Sequence, residues 1–175
     1  MDSPDNTLPE QIYGALISLN GETWLLPNAA IADVLAFEHV EINTGSPDWL
    51  LGFVDWRDRR LPLVTVEGLL GLPIPERMPR ARLLVVNTVT DQVMAGQYVM
   101  VAQGYPHLVT VNERALQQDW SDDLPERDNT ACRVRIGTNV ALIPNLDRIE
   151  SKIASALVRV EAGSLDATEL PAFLS

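Results

Sequence analysis

The chain has 175 residues, 46% hydrophobic and 21% charged, too apolar for a disordered tail and too short for two full-sized domains, so one fold burying roughly 70% of its unfolded surface is expected. Twenty-four acidic against thirteen basic residues leave a net charge of −11, which argues against nucleic acid as a partner because phosphate binding needs a positive patch. The single cysteine, Cys132, cannot build a disulfide framework.

Met1-Asp2-Ser3-Pro4-Asp5 is acidic and polar where a secretory signal would be basic and then apolar, so a cytoplasmic location is expected. Residues 1–10 carry little apolar content and read as a flexible terminus. From Ile12 to Leu19 a strand is expected, and Asn20-Gly21 supplies two positive-φ positions for a tight hairpin returning through Thr23–Leu26. Pro27 ends that strand, Asn28 can cap a helix, and Ile31, Val34 and Leu35 fall at helical spacing over about two turns. A strand resumes over Phe37–Asn43, and Thr44–Asp48 is a loop by composition.

Trp49–Trp56 is apolar almost throughout, which predicts a strand buried on both faces that surfaces only at its far end. Arg57–Arg60 is the turn. Leu61-Pro62-Leu63-Val64-Thr65-Val66 returns, its proline placing it at a sheet edge or at a bulge. Leu69 and Leu70 belong to a turn-length element closed by Gly71, and Pro73, Pro75 and Pro79 stiffen a connector near 72–80 that reads as the boundary between two halves.

The second half repeats the style, with strands at Arg82–Thr90, Val93–Ala102 and Leu108–Val111, a helical piece over Glu113–Gln118, and an acidic loop from Asp119 to Asn129. The longest uncharged stretch, Gln92–Asn112, is broken by Gln97, Gln103, Gly104 and Pro106 and reads as two strands and a turn, so no membrane insertion is expected. Arg133–Ile136 and Val140–Ile143 form a hairpin around Gly137. Leu25-Leu26-Pro27-Asn28 and Leu142-Ile143-Pro144-Asn145 share one pattern, which suggests an internal duplication. Leu146, Ile149, Ile153, Ala156, Leu157 and Val160 then mark one face of a final helix capped by Asn145 and ending at Gly163, leaving 164–175 as an unstructured tail.

Motifs for chemistry are missing from the sequence. Neither G-x-G-x-x-G nor G-x-x-x-x-G-K-[ST] occurs, and no G-x-S-x-G nucleophile elbow is formed. One cysteine and two histidines, His39 and His107, are too few for a recognisable zinc motif. His39 reads as a strand residue, His107 as a turn residue and Cys132 as a small core residue. Asp119, Asp122, Asp123, Glu126 and Asp128 lack the central glycine and closing glutamate of a calcium loop and read as a solvated acidic segment. No metal and no cofactor is therefore expected. What remains is Trp56-Arg57-Asp58-Arg59-Arg60, a cationic turn on an acidic protein, led into by Trp49 and Phe53. Trp and Arg are the usual anchors of protein interfaces. The same residues also suit an ordinary charged hairpin in which Asp58 pairs with an arginine while Trp56 folds back on the core.

The block Trp49–Gly71 resembles the CheW-like family of chemotaxis coupling proteins. Gly52-Phe53-Val54-Asp55-Trp56-Arg57-Asp58 occupies the family's Gly-apolar-apolar-Asn-Leu-Arg-Gly string, with Arg57 keeping register, Leu61-Pro62-Leu63-Val64 its proline strand, and Leu69-Leu70-Gly71-Leu72 its closing element. The resemblance extends over about residues 11–155, through Leu16–Leu35, Arg82–Val86 and Val140–Ile149. It implies an all-β fold of two intertwined five-stranded SH3-like barrels with short helices and a C-terminal helix, spanning 11–163. It also implies a non-enzymatic adaptor bridging chemoreceptor signalling tips to a CheA-type histidine kinase.

Asp55, Trp56 and Asp58 stand where Asn, Leu and Gly are usual, and Tyr98–Gln103 lacks the family's aspartate. In these respects the chain looks like the divergent accessory proteins of type IV pilus and twitching systems. Within that resemblance Arg57 and Trp56 are the expected protein-binding anchors, Phe53 supports them, Asp58 shares the surface, and Arg59 and Arg60 set the association rate. The competing expectations are a small strand-rich enzyme or ligand-binding module with a polar pocket near the proline connector, and a decoy that inhibits coupling.

Overall fold

Strand-forming alternation dominates the chain, and the computed structural model accordingly places β-structure through most of the residues it describes: 11–38, 40–42, 47–76, 78–113, 115–118 and 130–168. His39, residues 1–10, the acidic segment 119–129 and residues beyond 168 lie outside these. Twelve strands are described: β1 (Ile12–Ser18), β2 (Thr23–Pro27), β3 (Ile31–Ala36), β4 (Val40–Ile42), β5 (Leu50–Trp56), β6 (Arg59–Thr65), β7 (Arg82–Asn87), β8 (Gln97–Ala102), β9 (His107–Val111), β10 (Leu116–Gln118), β11 (Thr130–Ile136) and β12 (Asn139–Pro144). Two helices accompany them, α1 (Val66–Leu69) and α2 (Leu146–Thr168).

The strands form two sheets, ordered β10-β11-β12-β2-β1-β9 and β3-β7-β8-β6-β5-β4. Each holds five strands of five to seven residues and one of three residues at an end. The first sheet takes β1 and β2 from the N-terminal part and the rest from the C-terminal part, so the two units are intertwined. The proline connector does not separate them. It joins α1 to β7, and β7 lies in the same sheet as β6, whereas the chain changes sheet between β2 and β3 and again between β8 and β9.

Period-two alternation builds three cores. On β7, Leu83 and Val85 face one cluster with Val54, Leu61, Leu63, Val99 and Val101, while Leu84 and Val86 face another with Ile17, Trp24, Leu26, Tyr98 and Met100. The second cluster also receives Leu142, Ile149, Ile153 and Ala156, so it joins the two sheets and α2. Leu16, Leu25, Val111, Val134 and Ala141 form the third, within the first sheet. Central strands buried on both faces read as apolar runs for this reason.

Four local expectations are corrected. No two-turn helix follows Asn28: a 3-10 turn covers Asn28–Ala30 and β3 starts at Ile31. A bulge between Ile31 and Asp33 adds one residue to the alternation, so Ile31 and Val34 pack on one cluster and Ala32 and Leu35 on the other. The spacing of three imitates a helix but arises from the bulge. Between Ser18 and Thr23, only Gly21 has positive φ (82°), and the Leu19 N–H donates to the Glu22 carbonyl at 2.8 Å. The segment after Asn112 is one turn, its Ala115 N–H donating to Asn112 Oδ1 at 2.8 Å, followed by β10 and not by a helix. Asn145 does cap α2, accepting from the Arg148 N–H at 3.2 Å, but α2 runs through Gly163 to Thr168, since one glycine costs about 1 kcal/mol in a helix without ending it.

Pro62 is neither on an edge strand nor at a bulge of its own strand: β6 lies between β8 and β5. The parallel pairing with β8 begins only at Leu63, so at Pro62 only β5 is alongside, and the missing N–H is tolerated. The two Leu/Ile-Pro-Asn segments end β2 and β12, which lie side by side and parallel, with Leu142 opposite Trp24.

Candidate functional site: the hairpin at Trp56–Arg60

Strands β5 and β6 are joined by two residues, with Trp56 opposite Arg59. A two-residue hairpin of this kind needs left-handed backbone at both central positions to match the strand twist. Arg57 and Asp58 supply it with φ of 46° and 61°, the only non-glycine residues of positive φ among those described. Aspartate visits this region more readily than most side chains, and arginine does not, so the turn holds about 1–2 kcal/mol of backbone strain per residue, less for the aspartate. Such outliers persist only where the surroundings hold them, and they concentrate at functional sites.

A bulge between Leu50 and Gly52 resets the alternation of β5, so Val54 and Trp56 turn inward while Phe53 and Asp55 turn outward. Trp56 is half-buried against the cluster containing Val54, Leu61 and Leu63, and its indole Nε1–H donates to Asp33 Oδ2 at 2.9 Å. Asp33 is on β3 and Trp56 on β5, four strand intervals apart in the sheet, roughly 19 Å if the sheet were flat. The hydrogen bond therefore requires the second sheet to curl until β3 comes near β5, enclosing its cluster as a barrel interior.

The arginines differ in their surroundings. Arg57 stacks its guanidinium over the Trp56 ring, 4.5 Å from the centroid. Arg59 donates to Gln97 Oε1 at 2.8 Å and to the Ala95 carbonyl at 3.4 Å. Arg60 lies 4.4 Å over the Phe53 ring and pairs with Glu41 Oε1 at 2.8 Å. That pair is mostly solvated, at 55% and 68% side-chain exposure, so it contributes under about 1 kcal/mol. Among the described residues Arg57 and Asp58 form no ion pair. Trp56 thus folds back on the core, as an ordinary hairpin would have it, but Asp58 does not pair with an arginine.

Three arginines stand here beside Asp33, Glu41, Asp55 and Asp58, so the hairpin is not a positive field. It presents one cation, Arg57, in a fixed place. All six sequence-derived residues cluster on this hairpin, yet on two faces: Phe53 and Arg60 on one, Trp56 and Arg59 on the other. Asp33, Glu41 and Gln97 were not legible as site residues, although a carboxylate within the apolar run Ile31–Leu35 was a signal at Asp33.

Elsewhere, an open groove of about 590 Å³ beside the proline connector is lined by Pro47, Asp48, Trp49, Gly68, Gly71, Leu72, Pro73 and Ile74. Asp48 is its one charged side chain. Among the described residues no three His, Cys, Asp or Glu side chains are placed to hold a metal, and no helix is long and apolar enough to cross a membrane. Burial pushes the Cys132 thiol up from its ordinary value, which disfavours the thiolate form.

Comparison with known proteins agrees with this architecture. The CheW-like domain family matches residues 14–153, and the chain belongs to that family. The scaffolding protein TtCheW from Thermoanaerobacter tengcongensis is similar in fold, with a TM-score of 0.65 at 12% sequence identity over 83% of this chain and 91% of that one. The two curled units are accordingly the SH3-like barrels of the CheW fold. No curated protein matches the sequence.

Proposed function

We propose that this protein is a non-enzymatic adaptor that couples chemoreceptor signalling tips to a CheA-type histidine kinase on the cytoplasmic side of the membrane, with Arg57 at the contact. The observation that carries this reading is Arg57 itself, held in left-handed backbone at a barrel rim and stacked on Trp56 without a carboxylate partner. A guanidinium on an aromatic platform is a common hot-spot anchor, and transient signalling interfaces depend on one or two such residues. Phe53 supports the outer face under Arg60, and Asp58 shares the contact surface beside Arg57. Because Arg59 and Arg60 are held by neighbours and four carboxylates stand nearby, Arg57 acts by direct contact and not by long-range steering. Family membership over residues 14–153 supports a coupling role, and the departures at Asp55, Trp56 and Asp58 favour the accessory branch of the kind that serves type IV pili and twitching.

The test is co-sedimentation of the purified protein with receptor signalling domains and the chemotaxis-type kinase of its own organism, comparing wild type with Arg57→Glu. Wild type is expected in the pellet and the variant in the supernatant, both with unchanged circular dichroism. If neither joins the complex while both stay folded, the coupling role is wrong. If the variant unfolds, Arg57 is structural.

A further inference from the structure

Asp33 is a carboxylate in the apolar run Ile31-Ala32-Asp33-Val34-Leu35, whose neighbours pack into two cores. The carboxylate is half-buried and both of its oxygens are occupied: Oδ1 accepts from the Val34 N–H at 2.8 Å and Oδ2 from the Trp56 indole N–H at 2.9 Å. The bulge at Ile31–Asp33 places the residue where it reaches across the rim. Packing restricts the Trp56 ring from one side, and the charge-assisted hydrogen bond its N–H donates to Asp33 fixes its remaining rotation. Arg57, 4.5 Å above that ring, has no ion-pair partner of its own among the described residues, whereas Arg60 pairs with Glu41 and Arg59 is hydrogen-bonded to Gln97. The direction of Arg57 is therefore set by the plane of the indole.

We infer that Asp33 is the positioning residue of the hairpin: its carboxylate fixes the Trp56 indole across the barrel rim, and the indole in turn fixes the direction in which Arg57 meets a partner. This rests on the reading of Arg57 as a contact residue. Asp33 does not touch the partner in this arrangement. It acts through Trp56, and it couples the closure of the barrel, where β3 meets β5, to the geometry of the binding cation.

A double-mutant cycle on affinity for the receptor signalling domain tests this, with NMR of the full chain as an independent readout. Arg57→Ala is expected to weaken binding about tenfold and Asp33→Ala about fivefold, and Asp33→Ala should add nothing in the Arg57→Ala background. A structural role alone would give the same loss in both backgrounds and would overturn the inference. In NMR, Asp33→Ala should shift the Trp56 indole N–H and abolish the ring-current shift of the Arg57 side-chain protons. If those signals stay put, the inference fails whatever the affinities. If they move but Arg57→Ala binds normally, the positioning stands and the adaptor reading of Arg57 fails instead. Asp33→Asn, which keeps an acceptor oxygen for the indole, should bind within about twofold of wild type and guards against a folding defect in Asp33→Ala. A fivefold loss in the folded Asn variant would overturn the role of the hydrogen bond.

Discussion

Replacing Asp58 by glycine isolates the strain in the turn. Asp58 sits at φ 61°, where an L-residue is strained by about 1–2 kcal/mol and aspartate by somewhat less. Glycine relieves that strain but gives the unfolded chain about 0.5–1 kcal/mol more conformational entropy to lose. The side chain forms no ion pair among the described residues, so nothing else is forfeited. The net expectation is stabilisation by about 0.5 kcal/mol, a rise in Tm of about 1–2 °C for a chain of this length. Asp58→Val, with a β-branched side chain at positive φ, should lose about 1–2 kcal/mol. Urea titration and calorimetry of the three proteins should place Asp58→Gly as the most stable, wild type next and Asp58→Val last, with equal m values. An Asp58→Gly variant less stable than wild type would refute the strain argument and mean that the Asp58 side chain holds the turn through a contact.

Other perturbations test the packing of the sheets and α2. Glu150, fully buried on α2, accepts from the Val89 and Thr90 N–H groups at 2.8 Å each and from the Thr90 hydroxyl; Glu150→Ala should cost about 2–4 kcal/mol by orphaning these donors and should speed amide exchange at Val89 and Thr90. Gly68→Ala would place a methyl 2.5 Å from Trp49 Cβ and 3.0 Å from its Cα, so a loss of about 1–3 kcal/mol is expected on denaturation. Burial, reinforced by the Glu150 carboxylate, pushes the Tyr98 phenol above its ordinary value of 10. The unfolded chain ionises this phenol near 10 while the folded protein keeps it neutral, so its contribution is complete below pH 10 and declines as pH rises further. Stability measured between pH 9 and 11 should fall less steeply in Tyr98→Phe.

Much of the strand content was readable because β7 and β8 carry the unbroken apolar runs Leu83–Val86 and Tyr98–Ala102, and the cap at Asn145 is a local signal; the turn after Trp56 was readable too, but Arg59 and Arg60, read as part of it, belong to β6. What could not be read was set by parity and distance. A bulge at Ile31–Asp33 converted period two into a spacing of three, and only the sheet reveals it. Pro62 looked like an edge residue because sequence cannot say where a parallel neighbour begins. The Asp33–Trp56 bond joins residues 23 apart that meet only after the sheet curls, so the hairpin was legible and its brace was not. The arginines read alike in the sequence, but one lies over Phe53 beside Glu41, one on Gln97 and one over Trp56.

Bridging is tested most directly by asking whether kinase is retained on immobilised receptor signalling domains only when this protein is added. Kinase recovery should rise with added wild-type protein and stay at background with folded Arg57→Glu. Kinase recovery that is unchanged or lowered by the wild-type protein would contradict bridging, the lowered case marking a competitor of coupling and not an adaptor.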